Sequence, residues 1–179
     1  MRRLPLLLLA ATVLLISSPS DASAKDLRQK IGLGFNNNFT SLTSFSVKGG
    51  LPTPKATQSI QIQGFVGFGL AKAEPARFVA GGRFLLPFVA EDNLNIYAAL
   101  GAGYLRLRPE GQDEVIDAFR GQAVVGVEFF FFGLDNLGFS AELGLNFDVA
   151  EEFLSFETTS GTAASVGVHY YFGAKKGAK

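Results

Sequence analysis

Beyond residue 30 the chain alternates. Leu137, Phe139, Ala141, Leu143, Leu145 and Phe147 are apolar, and between them sit Gly138, Ser140, Glu142, Gly144, Asn146 and Asp148. Successive side chains of a β-strand point to opposite faces, so this stretch reads as one long strand with a greasy row and a small or polar row. The pattern recurs. Phe119, Ala123, Val125, Val127, Phe129 and Phe131 alternate with Arg120, Gln122, Val124, Gly126, Glu128 and Phe130. Phe78, Ala80, Gly82, Phe84 and Leu86 alternate with Arg77, Val79, Gly81, Arg83 and Leu85. Leu94, Ile96, Ala98, Leu100, Ala102 and Tyr104 face away from Asn95, Tyr97, Ala99, Gly101 and Gly103. Ala164, Val166, Val168, Tyr170 and Phe172 face away from Ser165, Gly167, His169 and Tyr171. Shorter runs place Ile60, Ile62, Val66 and Phe68 opposite Gln61, Gln63 and Phe65, and Ile31, Leu33 and Phe35 opposite Gly32, Gly34 and Asn36. A weaker one sets Thr43, Phe45 and Val47 against Ser44, Ser46 and Lys48.

Eight strands of roughly 8 to 13 residues follow, against about 5 to 6 for an average soluble strand and about 9 to 11 for one that crosses a bilayer obliquely. A soluble sandwich hides its apolar face and wets the other. Here the polar row is mostly Gly, Ala, Ser and Gln, which suits a narrow interior, while the aromatic row suits lipid. In hydrocarbon every backbone amide and carbonyl must be paired, so such a sheet has to close. The expected fold is all-β: an eight-stranded antiparallel up-and-down transmembrane β-barrel over residues 25–172. Its interior is just wide enough for side chains to fill. Phe35, Tyr104 and Phe147 are expected toward the outer rim, and Phe84, Phe131, Phe139, Tyr170 and Phe172 toward the inner one. Short turns are expected at 87–93 and 132–136. The longest connections, 107–117 and 149–160, are expected outside.

The first residues read differently. Arg2 and Arg3 precede an uncharged stretch over 4–16, and Ala22-Ser23-Ala24 has the small-x-small form of a cleavage site. Residues 1–24 are expected to be a secretory signal peptide, with 25–172 the barrel and 173–179 a short basic tail. The apolar stretch is too short to span as a helix, and no later stretch is long enough. Without Arg2, Arg3 and Asp21, the 16 basic and 16 acidic residues become 14 and 15, a net charge of about −1. A chain so balanced has no global field to hold nucleic acid. Cys is absent, which excludes disulfides, thiolate metal sites and a Cys nucleophile.

With its alternating apolar residues Val166, Val168, Tyr170 and Phe172, the last strand resembles the aromatic-ended assembly signal of small Gram-negative outer-membrane β-barrels. The layout of the whole chain resembles the same family, the OmpA-transmembrane-domain and OmpX-like group. The resemblance implies outer-membrane location, contact with outer-membrane lipid and with the barrel-assembly machinery, and a monomer. It implies little about function.

The candidate site is the inward row: Arg77, Arg83, Arg120, Gln122, Glu128, Glu142, Asn146, Asp148 and His169. Arg–carboxylate pairs across a narrow lumen make a structural plug, and a polar pathway or gate is the functional alternative. With a turn centred near Leu134, Arg120 falls opposite Asp148 and Gln122 opposite Asn146. His169 is the only histidine, so no His pair exists for zinc. Catalysis would need a Ser and a carboxylate at its ring, with Ser140 and Ser165 in nearby register. A packed interior residue is the expectation, and no enzyme and no cofactor are expected. Glycine-rich pieces such as 64–69 lack the strand-to-helix context of a phosphate loop. The 151–156 segment reads as a loop on the rim or a binding patch. The expected role is structural or surface-interacting; the alternatives are a narrow pore or lateral conduit, and a soluble lipocalin-like barrel with large apolar residues inside.

Overall fold

The computed structural model describes residues 25–54, 59–71, 74–107, 115–150, 154–158 and 165–173. Nine strands are assigned among them: β1 (Ile31–Asn36), β2 (Ser44–Gly50), β3 (Gln61–Ala71), β4 (Glu74–Glu91), β5 (Leu94–Leu107), β6 (Ile116–Phe130), β7 (Leu137–Ala150), β8 (Leu154–Thr158) and β9 (Ser165–Phe172). Each pairs antiparallel with its neighbours, and β9 returns to β1, so the sheet closes. β7 pairs with β9 from Leu137 to Glu142 and with β8 from Leu145 to Val149. β8 and β9 thus share one lane, and the barrel has eight. Below, the inner end is the one carrying Ile31 and the β6–β7 connection; the outer end is opposite.

The register sets the tilt. From Leu33 the paired residues run through Val47, Gly64, Gly82, Ala102 and Gly121 to Phe147 on β7. The other way, through Tyr170, they reach β7 at Leu137. The two arrivals differ by ten positions, 147 against 137. For eight strands about 4.8 Å apart with ~3.3 Å per residue, that stagger tilts the strands by about 40°.

Side-chain direction follows the alternation read from the sequence. Phe119, Val125 and Leu143 are 68%, 54% and 60% exposed, while Arg120, Glu128 and Glu142 on the same two strands are buried. Outward-facing aromatic rings, exposed or half-buried, gather near both ends. Phe129, Phe131 and Phe139 lie 5.2–5.6 Å apart toward the inner end, and Tyr104 sits 5.7 Å from Phe119 toward the outer.

Three stretches differ from expectation. Residues 87–91 belong to β4 rather than to a turn, because Phe88 bulges out between the pairs Pro87–Tyr97 and Val89–Ile96. Proline lacks the amide hydrogen that a ladder needs, and a bulge is where a strand tolerates it. The 149–160 connection, expected as an outer loop, contains β8. Finally, β1 and β2 are only six and seven residues long, and the chain between them turns inward. Asn38, Phe39 and Thr40 are buried there. Residues 1–24 and 174–179, which hold the expected signal peptide and most of the tail, lie outside the described residues, as do most of 107–117 and the first half of 151–156.

Candidate functional site: a charged network sealed inside the barrel

Each inward side chain is aimed by strand parity, and its partner is chosen by lane order and stagger. Adjacent lanes give the first pair. Arg120 on β6 is opposite Asp148 on β7, and Gln122 opposite Asn146. Arg120 holds Asp148 through two parallel hydrogen bonds of 2.6 Å, from Nε and Nη2, and its Nη1 donates to the carbonyl of Phe39 at 2.7 Å. Fork-to-carboxylate geometry of this kind is the strongest that Arg offers.

The other ion pairs cross the lumen. Arg83 on β4 reaches three lanes to Glu142 on β7, with Nη1 to Oε2 at 2.6 Å and Nη2 to Oε1 at 3.0 Å. The same guanidinium donates to Gln63 Oε1 and, at 3.0 Å, to Gln122 Oε1. Tyr97 donates its hydroxyl to Glu142 Oε1 at 2.6 Å. Lys48 on β2 reaches four lanes, the full width of the barrel, to Glu128 on β6 at 2.8 Å. Tyr171 donates to that same oxygen at 2.8 Å. The side chains of Lys48, Glu128 and Glu142 have no exposure, and that of Arg83 has 1%.

Two glycines make the crossing possible. A Cβ on Gly101, paired with Arg83 on β5, would stand 2.5 Å from Arg83 Cγ. One on Gly126 would stand 2.7 Å from both Glu142 Cγ and Tyr97 Cζ. These glycines serve by having no side chain where a charged one must pass.

Gln63 Nε2 donates to Ser46 Oγ at 2.6 Å, and His169 Nε2 lies 2.9 Å from that hydroxyl. Gln122 Nε2 donates to the carbonyl of Asn38 at 2.6 Å and to Asn146 Oδ1 at 3.0 Å. One network therefore links seven lanes and the inward turn after β1. The hydroxyl at His169 is Ser46, not Ser140 or Ser165, and His169 Nδ1 has no hydrogen-bond partner. Among the described residues no carboxylate is hydrogen-bonded to the ring, and a Ser–His–carboxylate chain is not seen among them.

Apolar clusters cap the network. Phe39, Phe65, Val79 and Leu105, with Leu42 against them, fill the outer mouth. Leu27, Phe130 and Tyr171 fill the inner one. Leu85, Tyr97, Ala99 and Val124 pack along one wall. The interior is thus less uniformly polar than the sequence reading held.

Of the residues singled out from sequence, Arg83, Arg120, Gln122, Glu128, Glu142, Asn146, Asp148 and His169 are buried in this interior. Arg77 shares the inward row with buried Val79 but is exposed, beyond the outer plug. Of the terminal-strand residues, Val166, Tyr170 and Phe172 face outward at 57%, 45% and 52% exposure, and Val168 is half-buried in the same row. Lys48, Tyr97, Tyr171, Gln63 and the Asn38–Phe39 turn were not singled out. Parity had put Lys48 and both tyrosines on the inner face. A long polar side chain in that row was the signal to follow.

No family model and no curated protein matches the sequence. Among solved structures, the N-terminal β-barrel domain of Pseudomonas aeruginosa OprF is similar, with a TM-score of 0.53 and 15% identity over 81% of this chain and 98% of that one. The likeness concerns the fold: a closed eight-stranded antiparallel barrel.

Proposed function

We propose that the chain is an integral outer-membrane β-barrel, exported by residues 1–24, whose interior is a side-chain plug and whose role is structural or surface-interacting. The carrying observation is the inversion of faces: a wall of Phe, Leu and Val points outward while three buried ion pairs lie within. An exterior of that kind is costly in water and favourable in hydrocarbon. The 8-to-15-residue strands β3, β5, β6, β7 and β9 and the 18-residue β4 supply the reach. The row ending in Tyr170 and Phe172 fits delivery to the barrel-assembly machinery, and nothing in the interior favours enzymatic work.

Cell fractionation with gel mobility before and after boiling tests this. The protein is expected in the outer-membrane fraction, with different mobility unheated and boiled. Recovery from periplasm without detergent would overturn the assignment. In planar bilayers the wild type is expected to stay closed; steady open events would replace the plug with the narrow-pore alternative.

A further inference from the structure

Residues 25–30 cross the inner mouth, and we infer that they form a hinged lid over the lumen. At the far end, the Lys25 amide donates to the carbonyl of Glu91 at 3.0 Å, where β4 ends. Lys25 Nζ pairs with Asp135 Oδ1 at 3.3 Å and sits 5.0 Å above the Phe130 ring. In the middle, Leu27 is 1% exposed and wedges between Phe130 and Tyr171. Its amide donates to Ser59 Oγ at 3.4 Å. Arg28 reaches the carbonyls of Thr53 and Pro54 at 2.9 and 3.0 Å. At the near end, the Gln29 amide donates to the Gly50 carbonyl at 2.9 Å, and the Gly50 amide to Lys30 at 3.0 Å. The two ends are therefore held by opposite sides of the barrel.

The join to β1 has a hinge. The Lys30 amide bonds back to the Leu27 carbonyl at 3.3 Å, closing a turn in which Gln29 has φ +58°. Gln29 is the one non-glycine residue with positive φ among the described residues. Such a conformation is unfavourable for a residue with a side chain, and it persists because the lid is held down on both sides. Beneath the lid lies the Glu128–Tyr171–Lys48 end of the network. With the Phe39 plug still in place at the outer end, release of the lid uncovers a blind polar chamber at the inner mouth, not a through-pore. The inference rests on the membrane-barrel assignment only for which compartment the chamber meets.

The chain has no cysteine, so single reporters can be placed. Ser59→Cys lies under the lid and Ala118→Cys faces inward toward the outer end, both buried. Each is carried by the full mature chain, folded in detergent, with and without Leu27→Asp, and challenged with a small cationic thiol reagent. Both reporters are expected to be protected in the parent. Leu27→Asp is expected to raise the rate at Ser59→Cys by about tenfold or more, through local opening, and leave Ala118→Cys unchanged. Gln29→Gly, which removes the strain of the positive φ without touching the wedge, favours the closed turn and is expected to leave Ser59→Cys as protected as in the parent. Ready labelling of Ser59→Cys in the parent, or no rise with Leu27→Asp in a barrel that still shifts on heating, would overturn the lid. So would an equal rise at both reporters, which would mean a loosened barrel. The membrane assignment fails by a different result: fractionation away from the outer membrane with reporter protection intact.

Discussion

The same residue types do different work in the middle of this barrel and at its rims. Arg83–Glu142 and Lys48–Glu128 bridge non-adjacent strands with at most 1% side-chain exposure. Arg106–Asp117 at the outer rim is a 3.8 Å contact with both side chains more than half exposed. Arg28–Asp26 at the inner rim is shorter, 2.7 Å, yet it too is wet. Water screens the rim pairs and replaces any partner that is lost. In the middle nothing replaces it, so each charge there depends on one opposite charge and the few neutral groups bonded to it. A pair of this kind adds little net stability against apolar residues of the same shape, but breaking it strands a charge.

That contrast is most open to breakage at Arg83. Arg83→Met leaves Glu142 buried with Tyr97 alone, and is expected to cost about 3–5 kcal/mol in urea unfolding from lipid vesicles. Arg83→Met with Glu142→Leu should cost less than the single change; a double variant worse than the single would show that the pair stabilises outright. Next comes the outward wall, where the proposed membrane assignment sets Leu143→Arg or Val125→Arg against lipid, at an expected cost of about 2–4 kcal/mol in the same assay. A neutral result there would remove the lipid from the picture. Arg106→Ala is expected to cost less than about 1 kcal/mol, shrinking further as salt is raised.

Ser140→Ala should be smaller still, within about 0.5 kcal/mol, because the buried Ser140 hydroxyl has no partner to lose. The smallest effect belongs to Asp26. Its hydrogen bond from Arg28 holds the carboxyl below the ordinary carboxylate range. A carboxyl lowered on folding contributes stability above its unfolded pKa, near 4, and loses it as pH falls through the folded value. Any difference between the parent and Asp26→Asn should therefore fade on acidification below about pH 4. A difference that grew in acid would reverse the sign.

The sequence reading succeeded where a contact is local. The β6–β7 turn centred at Leu134 brings Phe130 opposite Gly138, and Arg120–Asp148 and Gln122–Asn146 follow by counting back along both strands. It missed Lys48 because nothing near residue 48 announces a partner 80 positions away. It drew 87–93 as a turn because Pro and Asp-Asn punctuate it, whereas a single bulged Phe88 absorbs the proline. It had no means to see that Phe39 in the 36–40 segment folds inward, since a Phe in a polar turn has no periodicity.

Alternation alone settled which way nearly every strand side chain points, because a strand has a period of two wherever it is placed. From that came a greasy outside, a charged inside and the need to close. Which charges meet was decided only in three dimensions. A ten-position stagger carries Glu142 to Arg83 and Glu128 to Lys48, and neither the stagger nor the two inward segments that cap the lumen is written in any local stretch of chain. Partners across a barrel are neighbours only after the last strand has found the first.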